Sequence, residues 1–335
     1  MKAAVTIGTI VLAYILLTGC GGGDTSPINS NQFSGTTMKC QDGSFSNTGC
    51  TAPGTGDTTA VSIITDANYK FLASRISMQI DYLIRPHSGN PPALARLALQ
   101  LLQEMQHPAS INLCTPDPAS PPPLTLNANS VLFDDCLTSS DFLINGSINI
   151  SNINYSGDTS NTIAEWDAQA DFNIGSLTLA FPGRDKSIDI NGIFNLNTSN
   201  NLNSSTTTLT LTNLGINENN TDPDTGQTIS GNPDTYTNTV LVGTTDPNDQ
   251  TSVEISGSVN NNSMTQDTLS LLSSPLPSPL TWTAGVANPS MGWLKITDSG
   301  QSSSLTLTAD SPASMIIDLN GAAADSLSWG SSFIP

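Results

Sequence analysis

The sequence predicts a mainly β protein: a long curved antiparallel sheet or an open barrel, with two amphipathic helices packed against it. Three observations predict this. From about Leu124 onward, apolar residues recur at every second position, as in a strand with one dry and one wet face. Between residues 66 and 106 they recur instead at steps of three and four, the period of a helix. Finally, the polar residues are mostly Asn, Ser and Thr. Charged residues make up 11% of the chain, against about 25% in an average globular protein, which suits an exported β protein.

The first helix is marked by Tyr69, Leu72, Ile76, Ile80 and Leu83, which form one apolar stripe, while Lys70, Ser74, Ser77 and Asp81 fall elsewhere. Pro86 ends it, because its ring cannot continue the helix. In the second, Asn90 is the expected cap, Pro91-Pro92 sit where a missing N–H costs nothing, and Leu94, Leu97, Ala98, Leu101, Leu102 and Met105 make the apolar face up to His107-Pro108.

Strands follow. Ile144, Ile148 and Ile150 alternate with polar residues, as do Ala168 to Ile174, Leu177 to Phe181, Ile188 to Leu196, Leu209-Leu211, Val253 to Val259 and Leu305-Leu307. Between Ile174 and Leu177 the register slips by one residue, which predicts a β-bulge or bend. FPGRDK (181–186) reads as a hairpin turn. INGSINI, INGIFNL and ISGSVNN each place a glycine, Gly146, Gly192 or Gly257, on the apolar side of a strand. A strand glycine needs a reason: either the strand bends there, or a helix or ligand lies across the notch. Residues 217–250 read as a mostly polar loop, and LLSSPLPSPL (271–280) as a proline-punctuated connector.

The N-terminus specifies a compartment. Lys2 precedes an apolar run, Ala3 to Leu17, too short for a membrane span of roughly 20 residues but right for a secretory signal. It ends Leu17-Thr18-Gly19-Cys20, which resembles the bacterial lipobox. The resemblance implies cleavage before Cys20 and lipidation of that residue, anchoring the chain in a membrane. Gly21 in place of Asp favours the outer membrane, on either its periplasmic face or the cell surface. The expected organisation is therefore a signal peptide over 1–19, lipidated Cys20 and a flexible tether to residue 60, a helical hairpin over 61–108, and an antiparallel β domain over 109–335. Of the 5 cysteines, Cys20 is taken by lipid. The rest, in an oxidising compartment, are expected to pair locally as Cys40–Cys50 and Cys114–Cys136.

Net charge is −19 with 9 Lys and Arg, which argues against nucleic acid, whose phosphates need clustered cations. His87 and His107 lie outside any H-E-x-x-H pattern, no G-x-S-x-G elbow is present, and Glu104, Glu165, Glu218 and Glu254 are scattered singly. No catalytic residues and no cofactor are predicted. A weak calcium candidate is NNTDPDTG (219–226), where Asn220, Asp222 and Asp224 alternate like the first oxygen ligands of a calcium loop. Trp166, Trp282, Trp293 and Trp329 are candidates for a sugar platform, with a core role the commoner use of scattered tryptophans.

Three stretches together resemble uncharacterised β-rich outer-membrane lipoproteins of Gram-negative bacteria. They are the lipobox and tether; Cys114, VLFDDC and the ING run from Ile144; and PSMGWLKITDSGQSSSLTLTADS followed by MIIDLNG and Trp329. The acidic Asp/Gly run typical of that group is reduced here to Asp318-Leu319-Asn320-Gly321. The resemblance implies no catalytic activity. The expected function is a non-catalytic lipoprotein in the cell envelope, with an unknown envelope protein or glycan as partner. The alternative is a periplasmic carrier of an apolar ligand such as lipid, with an unfilled cavity behind the three glycines.

Overall fold

Alternation in the sequence becomes a sheet buried on one face. The computed structural model describes residues 38–39, 45–46, 63–85, 93–108, 113–115, 123–138, 143–161, 163–180, 186–221, 228–230, 233–261, 267–273, 279–286 and 288–329. A two-stranded ribbon, β1 (Met38–Lys39) and β2 (Phe45–Ser46), precedes helices α1 (Tyr69–Ile84) and α2 (Leu94–Gln106). Then come β3 (Leu124–Asn127), β4 (Ser130–Leu137), β5 (Leu143–Ser156), β6 (Trp166–Ala180), β7 (Lys186–Asn201), β8 (Ser204–Thr221), β9 (Thr228–Ser230), β10 (Asp234–Thr245) and β11 (Thr251–Asn261). The chain continues through β12 (Asp267–Leu272), β13 (Leu280–Trp282), β14 (Trp293–Asp298), β15 (Ser304–Ser311), β16 (Ser314–Leu319) and β17 (Ala322–Ser328).

Strands β3 to β17 form one 15-stranded antiparallel sheet, in the order 17-16-15-14-12-11-10-8-7-6-5-4-3, with β13 paired to β11 and β9 to β8. The sheet does not close. Its edges, β3 with 4 residues and β17 with 7, are short beside the 14 to 18 residues of β5 to β8, which limits the unpaired backbone offered to other chains.

A transverse seam bends the sheet. On β5, β7 and β11 it is marked by Gly146, Gly192 and Gly257, with φ of 125°, 112° and 147°. Opposite them the neighbouring strands carry extra residues. Register shifts fall between Phe133 and Cys136 on β4, Ile174 and Leu177 on β6, and Thr237 and Val240 on β10. On β8, Asn213 and Leu211 face consecutive residues Ile193 and Phe194, so Thr212 is the extra one. Each bulge flips the alternation, so Leu211 and Leu214 are both buried. The glycines are required sterically. A Cβ on Gly146 would lie 2.0 Å from the Ser176 carbonyl oxygen, one on Gly192 2.0 Å from that of Asn213, and one on Gly257 2.3 Å from the Thr239 Cα. Of the two expectations for these glycines, the first fits the register shifts: the neighbouring strand occupies the space that a side chain would need.

The helices lie on the buried face. Tyr69, Leu72, Ile76, Ile80 and Leu83 of α1 and Leu94, Leu97, Ala98, Leu101 and Leu102 of α2 are all buried, in one core with the inward residues of β3 to β17. Full burial of each Leu or Ile contributes roughly 1.5–3 kcal/mol. At the centre, the Phe172 and Phe194 rings of adjacent strands stack with centroids 4.7 Å apart. α1 packs on β15 and β16, and α2 on β6 and β7, so the pair spans the sheet.

Three expectations need correction. The N-cap of α2 is Ala93, without a side-chain cap bond, rather than the expected Asn90, which lies outside the described residues. Much of 217–250 is strand: it holds the end of β8, all of β9 and all of β10. The bulge between Thr237 and Val240 shifts the inward positions from Tyr236 to Leu241 and hides the alternation. Leu271 and Leu272 complete β12, and Leu280 opens β13, so both ends of the expected connector are paired. Residues 1–37, the FPGRDK turn through Asp185, Cys40, Cys50 and His87 lie outside the described residues.

Cys114 and Cys136 are joined by a disulfide, Cα atoms 5.2 Å apart, where Cys114 bridges Thr138 beyond the end of β4. It encloses a sequence separation of 22 residues. Replacing both cysteines by Ala should lower unfolding free energy by about 3 kcal/mol. Urea titration of the double variant checks this; an unchanged midpoint would contradict it.

Candidate functional site

Charge inside the core is gathered where α1 crosses β10. Arg75 donates from Nε to Asp234 Oδ2 at 2.5 Å, and Gln79, one turn later, donates to the same oxygen at 2.8 Å. Asn261 of β11 donates to Asp234 Oδ1 at 3.1 Å, and the Tyr236 hydroxyl donates to Gln79 Oε1 at 2.6 Å. Asp234, Gln79, Asn261 and Tyr236 are fully buried. Desolvation opposes charge on Arg75, but Asp234, with Glu218 behind it, holds the guanidinium above its ordinary value. Burial, then the Asp234 charge, pushes the Tyr236 phenol well up. Lys70 pairs with Asp325, so α1 is tied to both mid-sheet β10 and edge strand β17. The network is a fastening: its members face one another within the core.

A small cleft opens between α1 and the strands after β12, lined by Ser77, Asp81, Trp282, Asn288, Leu294 and Trp329 among others. Burial raises the Asp81 carboxyl, opposed by Arg85, whose Nε reaches both Asp81 oxygens at 2.9 Å. The cleft's volume is about 50 Å³, well below the roughly 300–1,000 Å³ of small-molecule sites.

The sequence-derived candidates are dispersed. His107 is half-buried, and its Nε2 lies 2.8 Å from Asp158 Oδ1, which also accepts the Ser160 hydroxyl at 2.6 Å. The carboxylate thus stands between Ser and His, whereas a nucleophilic triad needs the imidazole there. Glu104 is buried and accepts the Leu113 amide, while Glu165 and Glu254 are exposed on different strands or loops. Trp282 and Trp166 are buried, and only Trp282 and Trp329 share a site, so the four tryptophans do not form a platform. Asn220 sits in β8, paired with Lys186 on one side and Ile229 on the other; Asp222 and Asp224 lie outside the described residues. Among the described residues no group of three or more His, Cys, Asp or Glu is placed to hold a metal. Asp318 belongs to β16, and Asn320-Gly321 form the tight turn to β17 with φ of 54° and 82°.

No protein-family model, no curated protein and no solved structure matches the chain.

Two predictions follow from the buried polar groups. Arg75→Met should cost about 3–5 kcal/mol by stranding Asp234, and Arg75→Met combined with Asp234→Leu should cost much less than the sum of the single changes. A double-mutant cycle in guanidinium chloride reads this. The second concerns Asp298, the last residue of β14. Burial alone would raise it, but four donors from Ser302 and Ser303, at 2.6–2.9 Å, outweigh burial and hold it below 3.8. A depressed carboxyl stabilises above its unfolded value and loses that contribution as pH falls through the folded value. Asp298→Asn should therefore destabilise by about 1–2 kcal/mol at neutral pH, with the difference from wild type shrinking as pH falls below about 4. Melting curves across pH measure it.

Proposed function

We propose that the chain is a membrane-anchored, non-catalytic lipoprotein of the bacterial outer membrane, held through Cys20, with an interaction or structural role in the cell envelope. The observation that carries the non-catalytic part is the filling of the concave face. The side of the sheet that would shelter a ligand is packed with α1 and α2 in one core. Among the described residues, the cleft beside α1, at about 50 Å³, falls short of a small-molecule site, which favours this reading over the carrier. The face left to meet partners is the outer one, lined by rows of small polar residues such as Asn173, Asn213, Thr237 and Ser258 in cross-strand register around Ile193. The anchor rests on the lipobox pattern, since a lipid on Cys20 replaces the discarded apolar run.

Expression in a Gram-negative host with radiolabelled palmitate tests the anchor. The full chain should incorporate label and fractionate with outer membrane, and Cys20→Ala should do neither. Unlabelled wild-type chain released into the periplasm would overturn the reading.

A further inference from the structure

Ile163 and Leu202 are 82% and 67% exposed, the highest values among the exposed large apolar side chains of the described residues. They come from different connections, β5–β6 and β7–β8, which the topology sets side by side. Trp166 pairs with Asn200, and Asn200 Nδ2 donates to the Ala164 carbonyl at 2.9 Å. The loop carrying Ile163 is held in place. Its amide donates to Asn161 Oδ1 at 3.0 Å, Gln103 and Gln106 of α2 grip Thr159 and Gly157, and Asp158 is fastened to His107. Both apolar side chains are therefore presented from an ordered frame, at little ordering cost on binding.

Carboxylates flank these two connections. Glu165 and Asp167 are exposed on one side. On the other, Thr245 pairs with Ser205, which brings the β10–β11 loop and its Asp246 and Asp249 beside the β7–β8 turn. Segments 157–167, 200–206 and 244–252 contain no Lys or Arg. Hydrogen bonds, from Ser160 to Asp158 and from the Gln250 amide to Asp246, hold both carboxyls below the ordinary range. His107 lies against Asp158, so the negative charge of the rim is carried by Glu165, Asp167, Asp246 and Asp249. An apolar centre inside a polar rim is the anatomy of a protein-docking patch, and the acidic excess of this rim repels anionic lipid headgroups.

We infer that this rim, centred on Ile163 and Leu202, docks a basic protein segment that supplies an apolar anchor. The inference rests on the interaction role proposed above and names its surface and partner class. The electrostatic part sets encounter rate and salt dependence; the apolar part sets residence.

The test uses the full chain and, as probe, a fluorescent amphipathic helical peptide of Leu and Lys. Wild type should bind it more weakly as salt rises. Ile163→Ser with Leu202→Ser should weaken binding about tenfold or more. Glu165→Gln with Asp167→Asn should flatten the salt dependence. Leu132→Ser, which alters an exposed apolar residue on β4 far along the strands from this rim, should bind as wild type does. Equal binding by the Ile163/Leu202 variant overturns the proposal, as does wild-type preference for phosphatidylcholine vesicles over the peptide. Because binding is measured in solution and lipidation by palmitate label, failure of this docking surface and failure of the Cys20 anchor are read separately.

Discussion

At three points along a line across the sheet, neighbouring backbones come so close that no side chain fits between them. Gly146, Gly192 and Gly257 occupy these points, each facing a strand that carries an extra residue. The rest of the architecture depends on this arrangement. A bulge bends and twists its own strand, and its partner can follow at close range only if it has no Cβ at the contact. Set side by side from β4 to β11, these pairs turn a broad sheet into a trough. Without that curvature, the inward faces of β5 to β8 and of β14 to β17 would not share one core with two helices of 16 and 13 residues.

The trough accounts for the chemistry that follows. Its apolar floor is covered by α1 and α2, which share one core with the inward strand residues. A helix on an apolar floor can slide, because apolar contacts are non-directional. The Arg75–Asp234–Gln79–Tyr236 network and the Lys70–Asp325 pair supply the direction by fixing α1 to β10 and β17. Such a network is costly to break on one side and cheap to replace whole, the behaviour expected of a device for register rather than for net stability. Exposed surface then remains on the outer face and at the rim, where Ile163 and Leu202 stand near carboxylates.

How much of this was legible in the sequence depends on range. Period-two and period-3.6 patterns revealed the β5 to β7 strands and both helices, because burial on one face is written locally. The slip between Ile174 and Leu177 was visible for the same reason, since apolar residues stood on both sides of the bulge. Equivalent flips at Phe133–Cys136, Leu211–Leu214 and Tyr236–Leu241 were present too. They were masked by Asp, Asn and Thr, which serve turns and strands alike. The repeated strand glycines were seen, with bending as one of two readings; what decides between them lies in the backbone of another strand. Arg75 and Asp234 are 159 positions apart, and nothing local marks either as the other's partner. For the rim, the available signal was a lone Ile and a lone Leu in otherwise polar turns; their adjacency is a property of strand register.

The measurement that bears most directly on this account is the unfolding free energy of Gly192→Ala compared with Gly175→Ala. Both glycines lie on the seam in adjacent strands. At Gly192 an added methyl meets the Asn213 carbonyl at a φ of 112°, whereas at Gly175 the nearest atom is the Ser147 hydroxyl oxygen at 3.8 Å. If close backbone approach is what bends the sheet, Gly192→Ala should lose about 3 kcal/mol or more and Gly175→Ala less than about 1 kcal/mol. Equal effects at the two positions, or a neutral Gly192→Ala, would contradict it.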